Sequence, residues 1–178
     1  MDKKTNCTCF SVEFPNCYLF KKFRERNPSS IWAVILVDSS ILLENDRDIY
    51  YCYHNAARYD VKEKLSRGNL RSLKDFENLF REVEYYNRGE FSGTNYRKDI
   101  FYIKDYLTTS PQAEILVSGV IPSRYINSVI FASQLDLSHF SDVSLSKIND
   151  SKNIKNKLKV NHKYFLKREE VNFPERGV

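Results

Sequence analysis

The sequence predicts an α+β domain built on a mixed or antiparallel sheet with flanking helices. About five short stretches have the apolar or alternating pattern of strands, and two have the pattern of amphipathic helices. The two kinds follow each other in irregular rather than alternating order, which disfavours a doubly wound α/β fold. The chain of 178 residues is long enough for one domain with a substantial core, so a single globular unit is expected.

The composition predicts a soluble, cytoplasmic protein. Hydrophobic residues make up 42% of the chain and charged residues 29%, which is ordinary for a globular domain. There is no apolar run of about 18 residues, and polar residues follow Met1, so we expect neither a membrane span nor a signal peptide.

The cysteines predict free thiols and no metal site. Cys7, Cys9, Cys17 and Cys52 show no paired ligand spacing. The glycine-rich phosphate-binding motifs of dinucleotide-binding and P-loop proteins are also absent from the sequence.

The first elements are predicted from alternation and apolar runs. Phe10, Val12 and Phe14 alternate with polar residues, which predicts a strand over 10–14. Asn16 is a suitable N-cap for a helix reaching about Arg26. The side chains predicted to pack inward from this helix are Tyr18, Leu19, Phe20 and Phe23. The run 31–37 is apolar on both faces, which predicts a central strand.

The middle of the chain predicts a polar loop and an amphipathic helix. A short helical turn is expected at 41–44 and a strand at 49–53, so the polar residues 54–57 directly follow a strand end, where ligand-contacting loops tend to lie. Ser72 and Asp75 have the spacing of a capping box. The residues that repeat at helical spacing after it, and so predict a helix over about 73–87 with these side chains in the core, are Phe76, Leu79, Phe80 and Val83.

The polar, glycine-containing residues 88–97 predict a loop, and 99–106 predict a short strand or an extended approach to the next motif. That motif is Pro111–Val117, a short buried strand opened by Glu114 and followed by Gly119 and Pro122. A glutamate at the mouth of a sheet is costly unless a polar or cationic group meets it. The periodicity by itself favours an exposed strand-end position, since glutamate is mostly a surface residue. A last clear strand is expected at 127–132.

The positive charge is concentrated near the C-terminus. Between Lys147 and Arg168 there are eight basic residues and one acid, Asp150, a net charge of +7 within a chain of +5, so the rest carries about −2. Such a segment is typical of polyanion binding, and it is equally compatible with a solvated tail.

Three motifs, in order, resemble the DarT-type DNA ADP-ribosyltransferases over roughly residues 8–132. They are the strand 111–117 with Ile121-Pro122 after it, the segment 10–16, and the segment 52–57. The resemblance implies an ADP-ribosyltransferase-like sheet core over 1–140, with 141–178 as a basic extension. It also implies that an N-terminal NAD-binding segment of relatives is missing here, and that Asn16 stands where many relatives have arginine.

The resemblance implies NAD as the substrate and Glu114 as the catalytic residue. A carboxylate beside the ribose can orient a hydroxyl, offset the positive charge of an oxocarbenium-like transition state and accept a proton from the incoming base. The residues expected to contact NAD are Lys21, Lys22, Arg24, His54 and Asn55. For His54, chemistry alone favours a structural hydrogen-bonding role over direct contact. For the three cations a solvated helix face is an equal alternative.

The implied acceptor is a base in single-stranded DNA, and the implied setting is a toxin reversed by a macrodomain-type antitoxin hydrolase. The residues expected to bind the DNA are Lys155, Lys157, Lys159 and Lys163, beside the rings of Tyr164 and Phe165. The alternatives are a catalytically inactive nucleic-acid-binding or antitoxin-binding module, and a transferase acting on RNA or protein.

Overall fold

The computed structural model describes residues 6–87, 90–95 and 103–166. They fall into two compact units. The first contains 6–17 and the described part of 47–119, and the second contains Tyr18–Asp46 and Val120–Leu166. The mixture of helices with small antiparallel and mixed sheets confirms the predicted α+β class.

The described strands are β1 (Cys7–Phe10), β2 (Ala33–Val37), β3 (Ile49–Cys52), β4 (Val83–Asn87), β5 (Glu90–Asn95), β6 (Glu114–Ser118), β7 (Ile126–Phe131) and β8 (Leu158–Val160). The described α-helices are α1 (Cys17–Arg26), α2 (Tyr59–Ser66), α3 (Leu73–Asn78), α4 (Gln134–Val143) and α5 (Ser151–Lys155). Short 3₁₀ turns lie at Ser39–Leu43, Ser123–Tyr125, Leu145–Lys147 and His162–Phe165.

The sheet of the first unit has the order β1-β6-β3, with both pairs antiparallel. The predicted strand around Glu114 is therefore the central one. Its first four residues are all buried, because β6 has a strand on each side. Directly after it, Gly119 has a φ of +77°, a conformation that glycine adopts without the steric cost of a Cβ.

The sheet of the second unit has the order β2-β7-β8, antiparallel between β2 and β7 and parallel between β7 and β8. The prediction that 31–37 forms a central strand is wrong. The strand β2 lies at an edge and leaves the Ile35 side chain 54% exposed, while the central position belongs to β7. The buried core of this unit lies around Val129, Phe131, Leu145 and Ile154.

Two predictions near the N-terminus need correction. The strand predicted over 10–14 lies at Cys7–Phe10 instead, and residues 12–14 form a bend in which Glu13 has a left-handed φ of +63°. The helix predicted to reach Arg26 is confirmed as α1. However, Leu19 and Phe23 are 37% and 43% exposed rather than packed inward.

The helix predicted over 73–87 is too long. The capping box of Ser72 and Asp75 is present with both reciprocal bonds, but α3 ends at Asn78. The Leu79 carbonyl then accepts a bond from Thr109 N at 2.8 Å, and the chain continues as β4. The predicted loop 88–97 contains β5, antiparallel to β4, so strand pairing overrides the local helical pattern. Residues 99–102, the first part of the stretch predicted to be extended, lie outside the described residues.

The turn at 41–44 and the strands at 49–53 and 127–132 are confirmed within one or two residues. The sequence did not predict α2, α4 or α5. Among the residues that the structure describes, no helix is both long and apolar enough to span a bilayer.

We expect Leu116→Ala to lower the free energy of unfolding by about 3 kcal/mol, because this fully buried side chain of β6 leaves a cavity when truncated. The matched control is Leu135→Ala, whose side chain is 79% exposed and whose loss changes stability by less than about 0.5 kcal/mol. Urea denaturation followed by circular dichroism measures both. Equal effects of the two variants contradict the central position of β6.

Candidate active site

The Glu114 side chain is buried at the start of the central strand of the first unit, with 8% of its surface exposed. Its two oxygens are held separately. Asn55 Nδ2 donates to Oε1 at 3.1 Å, and the backbone N–H of Ala56 donates to Oε2 at 2.8 Å. The carboxylate therefore does not point into bulk solvent. It is held at the first residue of the central strand by two donors from neighbouring loop residues.

Those donors belong to the loop 54–57, which follows β3 as predicted. In the sheet register Cys52 lies opposite Glu114, so the end of β3 delivers the loop next to the carboxylate. Within the loop, Ala57 N donates to Asn55 Oδ1 at 2.9 Å. This bond fixes which end of the Asn55 amide is the oxygen, so the NH₂ group faces Glu114.

His54 is part of the same loop and is neutral near pH 7. Its Nδ1 accepts a bond from Asn55 N at 2.8 Å, which requires that this nitrogen carry no proton. The pKa of His54 is lowered to about 4, mainly by burial and also by the nearby Arg58 guanidinium, against an opposite effect of Asp60. A neutral imidazole protonated at Nε2 can donate a hydrogen bond from that atom but cannot serve as a general acid at neutral pH.

The two ends of the loop are joined by a buried network that the sequence did not predict. Tyr53 Oη donates to Asp60 Oδ2 at 2.9 Å, and both residues are buried. Arg58 Nε lies 2.9 Å from Asp60 Oδ1, and the two groups form an ion pair. The N–H bond of Arg58 does not point at this oxygen, so the contact is not a hydrogen bond. Burial, together with the Asp60 charge, raises the pKa of Tyr53, so the phenol keeps its proton. The sequence feature that could have indicated this network is Asp60, an acid in the first turn of a helix whose apolar residues Val61 and Leu65 are at helical spacing.

The predicted cations of α1 lie in the second unit. Lys21 and Lys22 are exposed, and Lys21 is 3.8 Å from Glu25 in an ion pair. Arg24 donates to the Phe165 carbonyl oxygen at 3.0 Å and lies over the Phe20 and Phe165 rings. The structure thus brings together Glu114, Asn55 and His54, whereas the three cations remain a separate prediction.

The second unit also contains an open cavity of about 440 Å³. Lys21, Arg24, Trp32 and Phe165 line it, together with two acids, Glu25 and Asp136. The cations and acids of this lining balance each other, so its charge by itself indicates no anionic ligand.

The predicted DNA-binding lysines all lie in the second unit, from the end of α5 through β8 to the turn at His162–Phe165. Lys155, Lys159 and Lys163 are exposed, while Lys157 is half-buried. Phe165 is buried in the fold, which leaves Tyr164 as the partly accessible ring of the pair. This segment is folded against the sheet, because β8 pairs with β7.

A family model described as "ssDNA thymidine ADP-ribosyltransferase, DarT" matches residues 8–166. The match covers most of the 178 residues, so the chain belongs to the DarT family, as its motifs predicted. No match was found among curated individual proteins.

We expect His54 to make the protein less stable as the pH falls. Its pKa is about 4 in the folded state against an ordinary value of 6.5, so the unfolded state binds more protons between these values. The stabilisation is complete above about pH 6.5, declines as the pH falls, and amounts to about 2 kcal/mol lost between pH 7 and pH 5.

Urea unfolding at pH 7 and pH 5 measures this loss, and His54→Gln should reduce the difference by that amount. The control His139→Gln removes an exposed histidine and should keep the wild-type dependence. A wild-type dependence in His54→Gln contradicts the assignment.

Proposed function

We propose that this protein transfers ADP-ribose from NAD to a base in single-stranded DNA, with Glu114 as the catalytic residue. The family description names thymidine, and we take thymine as the acceptor base. The observation that carries the proposal is the buried Glu114 carboxylate, whose two oxygens are held by Asn55 and by the Ala56 backbone.

The reaction breaks the bond between nicotinamide and ribose and forms a bond from the same ribose carbon to a base nitrogen. Nicotinamide leaves with the bonding electrons, and the base nitrogen loses its proton. Positive charge develops on the sugar in between, so a negative group held beside it lowers the barrier. A carboxylate already oriented by two donors needs little reorganisation when this charge appears.

Asn55 and His54 have different roles in this proposal. Asn55 holds Glu114 and is itself held by Ala57 N, so its amide acts through the carboxylate. His54, neutral at pH 7, offers a donor rather than a charge to the nucleotide. For Lys21, Lys22 and Arg24, contact with the NAD phosphates stays a proposal, and the exposed Lys22 is the best candidate because Arg24 already bonds Phe165.

Contact with DNA is assigned to the lysines between 155 and 163. Exposed cations along a folded segment fit a phosphate backbone, and the ring of Tyr164 offers a surface for stacking. In this setting we place the protein as the toxin of a pair, opposed by a macrodomain-type hydrolase that removes the modification.

An inactive nucleic-acid-binding or antitoxin-binding module is the second candidate. The observation that favours it is Asn16, which by the resemblance stands in place of an arginine. Asn16 is buried, and its backbone N donates to Ser11 Oγ at 3.0 Å. A module of this kind binds single-stranded DNA or the antitoxin without modifying the DNA.

We expect the wild-type chain, incubated with NAD and a thymine-containing single-stranded oligonucleotide, to add one ADP-ribose per modified base, detected by intact mass. Glu114→Gln keeps the shape but removes the charge, and should lower the rate at least about 100-fold. The control Glu63→Gln changes an exposed glutamate of α2 and should react like the wild type.

Oligonucleotides lacking thymine, RNA and casein are included as further acceptors. Binding of DNA without any mass gain establishes the module instead, and label on RNA or casein alone overturns the DNA acceptor.

We expect Lys155→Ala with Lys159→Ala to weaken binding to a single-stranded oligonucleotide and to reduce its dependence on salt. Each lysine–phosphate interaction that is lost makes the negative slope of log affinity against log salt shallower by about 0.7, so the double variant should change it by about 1.4. Fluorescence anisotropy titrations between about 50 and about 200 mM salt measure this slope. The control Lys74→Ala removes an exposed lysine of the first unit and should leave the slope unchanged. A slope that is unaltered in the double variant removes these lysines from the DNA interface.

A further inference from the structure

We propose that Asp60, with Tyr53 and Arg58, positions the catalytic carboxylate by fixing both ends of the loop that holds it. This inference rests on the proposed function of Glu114 and adds a set of positioning residues to it. In this proposal their effect on Glu114 passes through the loop 54–57, whose two ends they join.

The network joins the chain immediately before the loop to the chain immediately after it. Tyr53 precedes the loop, and its hydroxyl donates to one oxygen of Asp60 at 2.9 Å. Arg58 follows the loop, and its guanidinium lies 2.9 Å from the other oxygen. Arg58 N also donates to the Asn55 carbonyl at 3.0 Å. One carboxylate in the first turn of α2 therefore ties together the two points between which the loop must close.

The loop in turn determines where the Glu114 oxygens lie. A glutamate side chain has three rotatable bonds, and its position on a strand fixes none of them fully. Here one oxygen meets an amide of Asn55 and the other meets the backbone of Ala56, two donors separated by one residue. A shift of the loop moves both donors together, so the accuracy of the carboxylate is set by the accuracy of the loop.

The Asp60 side chain is expensive to bury, which argues that it does more than fill space. It is 8% exposed. Among the described side chains, its Oδ1 is the buried polar atom left without a hydrogen bond, and only the ion pair with Arg58 compensates it. A buried ion pair adds little net stability and sometimes less than an apolar replacement, so its value lies in defining one conformation. Lys64 Nζ lies over the Tyr53 ring, 4.7 Å from its centre, which adds a cation–π contact to the same phenol.

Tyr53→Phe is the sharpest test, because it removes one oxygen and leaves the buried ring in place. We expect kcat for modification of a single-stranded oligonucleotide to fall about tenfold or more, with KM for the oligonucleotide unchanged, because DNA contact is assigned elsewhere. Asp60→Asn should act in the same direction. Tyr59→Phe is the matched control, since its ring is 54% exposed and next to the same helix start, and it should keep the wild-type kcat.

Two further measurements separate positioning from general stability. In an Asn55→Ala background the loop no longer holds Glu114 through its amide, so Tyr53→Phe should cause a much smaller further loss of kcat than it does alone. Hydrogen exchange of the Ala56 amide, followed by NMR, should be faster in Tyr53→Phe and unchanged in Tyr59→Phe. Both are compared at temperatures where circular dichroism shows each variant folded.

The outcomes distinguish this inference from the proposed function. An inactive wild type rejects the transferase, yet the Ala56 exchange still decides whether the network fixes the loop. An active wild type with the same kcat in Tyr53→Phe overturns the positioning role. Full additivity of Tyr53→Phe and Asn55→Ala, or unchanged Ala56 exchange, overturns it as well. If Asp60→Asn does not fold, Tyr53→Phe alone carries the test.

Discussion

The structure of the first unit depends on a buried carboxylate whose oxygens are both satisfied by one short loop. Burying a charge at the start of a central strand is unfavourable unless donors meet it. Asn55 and Ala56 supply those donors, and the register that places Cys52 opposite Glu114 makes the encounter possible. The same bonds that make the burial tolerable also orient the carboxylate, so stability and the proposed chemistry rest on the same contacts.

A second buried carboxylate supports the first. Asp60 does not face a ligand in this scheme. It joins the residue before the loop to the residue after it, and in our proposal this limits how far the donors of Glu114 can move. The arrangement has two levels, with a strand that carries the Glu114 carboxylate and a network that joins the ends of the loop around it. The raised pKa of Tyr53 and the lowered pKa of His54 follow from the same burial, which keeps the phenol protonated and the imidazole neutral near pH 7.

The lysines of the basic segment are positioned by strand pairing rather than by buried polar contacts. Its lysines are spread over a helix end, a short strand and a turn, and β8 is held in place by parallel pairing with β7. The cations are thus displayed from a folded surface, while the anchoring side chains Ile154 and Phe165 are buried. Binding of a polyanion to charges on a folded surface costs less conformational entropy than binding to a flexible tail.

The sequence by itself determined the α+β class, the strand that carries Glu114, the polar loop after β3, the capping box of α3 and membership of the DarT family. These follow from patterns within a few neighbouring residues, where turn formers and apolar runs act locally. Only the tertiary structure decided that β2 is an edge strand, that α3 stops at Asn78 in favour of β4, and that Asp60 links Tyr53 to Arg58. Strand order and buried polar partners depend on residues far apart in the chain, and local periodicity contains no information about which of them meet.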